Sequence, residues 1–82
     1  MRTTRVFDVA NRLARAAGAR ARVSLRDEGG YRVYVILPRD IGAEAQLAVL
    51  DVLVTADRFG HDKAETVEGV WAEIDPEPEE RA

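Results

Sequence analysis

The stretch RARVSLRDEGGYRVYVILP, Arg20 to Pro38, decides the fold, because within it the chain changes from helical spacing to strict alternation. With Glu28, Gly29 and Gly30 as the loop of a β-hairpin, Ala21, Val23 and Leu25 fall opposite Leu37, Val35 and Val33. Arg22, Ser24 and Arg26 then fall opposite Ile36, Tyr34 and Arg32. One face of this hairpin is apolar and the other basic and aromatic. A slip of one residue would set Leu25 against Arg32 and mix the faces, so the pattern selects this pairing. Pro38 ends the second strand because it has no amide proton to give the ladder.

On the N-terminal side of the hairpin, Val6, Val9, Ala10, Leu13 and Ala17 recur at three- and four-residue steps, which predicts an amphipathic helix over Arg5 to Ala17. Thr4 fits as its N-cap, Asp8 can pair with Arg12, and Gly18 can close it in the left-handed conformation. On the C-terminal side, Asp40 fits as the cap of a second helix reaching about Phe59, with Gly60 past its end. Its apolar arc is wide. Ala43, Leu47, Leu50, Leu53 and Val54 form one stripe, while Val49, Val52 and Ala56 lie in a second stripe available for self-association. His61 to Thr66 reads as a loop and Val67 to Ile74 as a third strand, with Val70, Ala72 and Ile74 toward the core and Trp71 away from it. Asp75 to Ala82 holds two prolines and a run of acids and reads as a mobile acidic tail, which leaves residues 1–74 as one domain.

The expected architecture is α+β: a two-layer α-β-β-α-β arrangement, with a three-stranded mixed sheet carrying both helices on one face. The helical crossover would leave the second and third strands parallel.

A chain of 82 residues suits a single core. A domain of this size buries only about 60 to 65% of its unfolded surface, so a second copy or a partner would add to its stability. With no cysteine there is no disulfide framework, thiolate zinc site or cysteine nucleophile, and a cytoplasmic location is expected. No apolar run approaches the roughly 20 residues that span a bilayer, so no membrane association is expected. Charge is polarised. Seven arginines precede residue 27 against Asp8 alone, and eight acids follow residue 60 against Lys63 and Arg81, within a net charge of -3. Neutralisation within the fold or across a dimer is one reading; an anion-binding basic face is the other.

The face away from the helices would carry Arg22, Arg26, Arg32, Tyr34, Ile36 and Trp71. Burying one large side chain is worth roughly 1.5 to 3 kcal/mol, which favours something covering that face. A protein partner or a homo-oligomer ranks first. Nucleic acid ranks second: bases stack on rings and guanidinium groups meet phosphates, with Arg5, Arg12 and Arg15 of the first helix as further contacts. Against it stand the acidic total charge and the lack of an RNA-recognition signature. His61 beside Asp62 has no second histidine to complete a metal site, Ser24 has no nucleophile elbow, and Gly29-Gly30 has no nucleotide-binding motif. No catalytic residue, metal or cofactor is assigned, and the chain is read as a non-enzymatic protein-interaction module.

ADRFGHD (residues 56–62) and VWAEID (residues 70–75) resemble segments of short uncharacterised proteins of GC-rich bacteria, their phages and mobile elements. The resemblance covers the C-terminal third, implies an accessory or host-interaction role, and carries over no functional residue.

Overall fold

The computed structural model describes residues 4–76. Its elements run α1 (Thr4–Ala17), β1 (Ala21–Leu25), β2 (Tyr31–Ile36), α2 (Ala43–Leu53), β3 (Arg58–Lys63) and β4 (Glu68–Ile74). The α+β class and the two helices agree with the sequence reading. The sheet does not: it has four strands instead of three and is antiparallel throughout, in the order β1-β2-β4-β3.

In α1 the five apolar positions of the helical stripe are all buried. Gly18 closes the helix at φ +68°, and the amides of Gly18 and Ala19 both donate to the Ala14 carbonyl. Thr4, expected as the cap, is already helical. The hairpin forms, with its loop one residue earlier than expected. The Gly29 amide donates to the Arg26 carbonyl at 3.0 Å and the Arg26 amide to the Gly30 carbonyl at 3.1 Å. Both glycines are left-handed, at φ 101° and 82°, and so stand at the exit of a three-residue loop. The pairing becomes Ala21 with Val35, Val23 with Val33 and Leu25 with Tyr31, a shift of two residues that leaves every side chain on its expected face.

The second helix is shorter than its apolar pattern. It starts at Ala43 behind Gly42, not at an Asp40 cap, and ends at Leu53. Thr55 terminates it: its hydroxyl donates to the Val52 carbonyl at 2.6 Å and its amide donates to the same oxygen. The chain then enters β3, which the sequence reading divided between a helix end and a loop. RFGHDK has one large apolar residue and four ionisable ones, the composition of a protected edge strand, so it shows no alternating apolar signal. This extra strand also corrects the predicted strand directions. The crossover through α2 leaves β2 and β3 parallel, while β4 returns between them and runs antiparallel to both.

The core joins Val6, Val9, Leu13 and Ala17 of α1 and Val49, Val52 and Leu53 of α2 to Val33, Val35, Val70, Ala72 and Ile74 of the sheet. α1 lies over β1 and β2 and against α2, and α2 leans more on α1 than on any strand. The α2 stripe offered for self-association is therefore turned into the core. Val49 and Val52 are buried and Ala56 packs against the core, whereas Leu47, Leu50 and Val54 face outward. No helix among the described residues is long and apolar enough to cross a membrane.

Candidate interaction surfaces

Three surfaces of this fold carry chemistry, and the first is the open sheet face. Arg22, Tyr34, Trp71 and Gly60 form one rung across the four strands, and Ser24, Arg32, Glu73 and Arg58 form the next. The rings do not project. A Cβ at Gly60 would overlap the Trp71 indole, and one at Gly69 would overlap the Tyr34 phenol, so each ring lies on a glycine of the neighbouring strand. The Arg32 guanidinium sits 4.8 Å from the Trp71 ring centroid. Its Nε is buried without a hydrogen-bond partner among the described residues. Much of the aromatic surface expected to be wet is thus covered by the chain itself, while Ile36 remains 51% exposed.

Two arginines of this face, Arg26 and Arg58, are answered by acids, while Arg22 is exposed. Arg58 donates to Glu73 at 2.9 Å and to both carboxylate oxygens of Asp75. Arg26 lies 3.5 Å from Glu73, 3.3 Å from Glu28 and 3.9 Å from Asp75. Asp75 is itself held, its amide donating to Asp57 at 2.7 Å. Pro76 abuts Gly29 and Gly30. Asp75 and Pro76, read as the start of the tail, therefore belong to the packed structure, and the rest of that tail lies outside the described residues. On α1, Arg5 bridges to Asp57 at 3.1 Å and to the Thr55 carbonyl at 3.0 Å, and Arg12 pairs with Asp8 at 3.6 Å. Arg15 is exposed. The three arginines named for nucleic acid do not form one free basic row.

Hydrogen bonds from Arg58 hold the Glu73 and Asp75 carboxyls below their ordinary range, assisted by the nearby charge of Arg26. With folded pKa values below the unfolded ones, this stabilisation is present above the unfolded carboxyl pKa of about 4 and disappears as pH falls through the lowered values. An Arg58→Met variant is expected to be less stable than the native chain at pH 7 and equal to it near the acid limit of folding. Urea midpoints measured across that range check this, and a gap independent of pH would contradict it.

The second surface is the outer edge of β1, which pairs with no strand among the described residues. Since the Arg26 amide turns inward to Gly30, alternation turns Ser24 and Arg22 inward as well, leaving the N–H and C=O groups of Ala21, Val23 and Leu25 on the outer edge. On the helix side of this edge Leu25 is 76% exposed and Val23 38%.

The third surface is a cleft of about 310 Å³ between α2 and the β3–β4 half of the sheet, opened because α2 leans on α1. Leu37, Val49, Leu50, Leu53, Phe59 and Val70 line it. At its mouth His61 Nε2 meets Glu68 Oε2 at 2.5 Å. His61 therefore sits on a strand beside a carboxylate of β4, not in a loop. The sequence reading missed this cleft because it missed β3. The alternation of Phe59, His61 and Lys63, together with the need for a glycine beneath Trp71, was the available signal.

Among the described residues no group of three or more His, Asp or Glu side chains is placed to hold a metal ion. Comparison with protein-family models, with curated proteins and with solved structures gave no match.

Proposed function

We propose that the protein is a self-associating interaction module whose two copies pair through β1. The observation that carries this reading is the 76% exposure of Leu25 on a strand whose outer hydrogen-bonding groups point away from β2 and meet no strand among the described residues. The strand ARVSL is self-complementary when it meets a second copy antiparallel about Val23. Val23 then opposes Val23, Ala21 opposes Leu25 and Arg22 opposes Ser24, so apolar meets apolar on one face and no like charges meet within the strand. Moving the pairing by two residues in either direction sets Arg22 against Arg22 or against Arg26, a repulsive contact. In the chosen register Arg20 approaches Arg26, whose charge is already answered by Glu28, Glu73 and Asp75. The residues facing outward are also those that the ladder needs, because Ala21, Val23 and Leu25 present the outward N–H and C=O groups. A two-fold axis normal to the sheet joins two four-stranded sheets into one and keeps all helices on the same side.

Light scattering tests this directly. The native chain is expected at twice its 9.1 kDa mass, and a Leu25→Lys variant at 9.1 kDa with an unchanged circular dichroism spectrum. Val23→Pro removes an amide that has no partner among the described residues of the monomer and should also dissociate the dimer. A native chain that stays monomeric at millimolar concentration, or a Leu25→Lys variant that still dimerises, rules the reading out.

A further inference from the structure

We infer that the cleft between α2 and β3 is a docking groove for an amphipathic helix of another protein, one with basic residues flanking its apolar stripe. This is a different surface from the β1 edge and does not depend on pairing there. Around α2 the apolar arc runs from the buried Val49 and Leu53, through Leu50 at the cleft wall, to Leu47 and Val54 on the outside, interrupted at the cleft only by Gln46, whose amide donates to the Ile41 carbonyl. Leu47, Leu50 and Val54 are 63%, 45% and 56% exposed, and across the cleft Phe59 is 43% exposed. Leu47, Leu50 and Val54 stand at i, i+3 and i+7, the spacing with which one helix receives another. An added β-strand fits less well, because the β3 edge carries Arg58, His61, Asp62 and Lys63.

Charge selects the occupant. Beyond Leu47 and Val54 the helix surface turns to Glu44 and Asp51, and α2 has no basic residue. On the opposite wall the partly exposed Glu68 carboxylate, in contact with His61, stands at the mouth with Lys63 as its cross-strand neighbour, so the acids left to meet a partner are chiefly Glu44 and Asp51 of α2. A second copy presenting its own α2 would set Glu44 and Asp51 against the same acids, whereas a helix flanked by lysine or arginine meets them with opposite charge.

The test uses the native chain and two synthetic helical peptides with the same leucine stripe, one flanked by lysine and the other by glutamate. Titration into isotopically labelled protein is expected to shift the amides of Leu47, Leu50, Val54, Phe59 and His61 with the lysine peptide. The glutamate peptide should bind roughly tenfold more weakly or not at all, because its charges meet Glu44 and Asp51 with like sign. Leu50→Lys, at an exposed position, should abolish the shifts while leaving the oligomeric state of the native chain unchanged. Equal binding of the two peptides, shifts centred on Trp71 and Tyr34, binding that survives Leu50→Lys, or no binding by either peptide would each overturn the inference.

Discussion

A Gly30→Ala variant is expected to lose about 3 kcal/mol of folding stability, and its melting temperature to fall by roughly 10 to 20 °C. Two costs fall on the same residue. At φ 82° an L side chain is strained, by roughly 1 to 2 kcal/mol. In addition, a Cβ there would overlap the carbonyl oxygen of Ile74 and crowd Asp75 and Pro76, and a backbone oxygen inside a paired strand cannot swing aside as a side chain can. Gly29 provides the internal comparison. It is also left-handed, at φ 101°, but a Cβ there meets only the Pro76 ring, at an ordinary 3.4 Å. Gly29→Ala should therefore cost the strain alone, about 1 kcal/mol, as should Gly18→Ala, which opens on empty space. Thermal melts of the three variants decide it. Equal losses at Gly29 and Gly30 would show that contact with the end of β4 contributes nothing.

The same contact shows where sequence reasoning reaches its limit. The hairpin was legible because alternation over Arg20 to Pro38 has a period of two, and a shift of two residues in register leaves that pattern unaltered. The faces were therefore fixed and the loop position was not. α1 was legible because its single apolar stripe has one surface to cover. α2 was half-legible: its apolar arc marked a helix, yet which stripe turns inward depends on α1, a contact that no local pattern encodes. β3 was illegible for a stronger reason. An edge strand is selected to discourage pairing, so its charges conceal the signal that marks a buried strand. With β3 missing, the antiparallel return of β4, the strand position of His61 and the α2 cleft were all out of view. Trp71 and Tyr34 were placed on the correct face, but their being seated on Gly60 and Gly69 required knowing which strands are neighbours.

That seating leads to the other large expected effect. Trp71→Ala should destabilise the fold by about 2 to 3 kcal/mol, because a half-buried indole covers roughly 100 Å² of apolar surface and its contact with Arg32 adds about 0.5 kcal/mol. The loss should be uneven. Trp71 lies on β4 and its ring rests on Gly60 of β3, so truncation strips the cover from the β3 backbone while the β1–β2 hairpin keeps its own contacts. Hydrogen exchange is expected to show amides of Arg58 to Lys63 losing protection well beyond those of Ala21 to Leu25. Gly60→Ala should imitate this in part by displacing the indole without removing it, and Trp71→Phe should recover most of the stability. The comparison separates two roles for one side chain. A ring kept to engage a partner could be removed at little cost to the isolated fold. One that fastens an edge strand cannot, because β3, which carries Phe59 and His61 of the cleft wall, loses cover with it. Unchanged urea midpoints with uniform exchange in Trp71→Ala would return this residue to the partner-binding role and remove the structural account of Gly60.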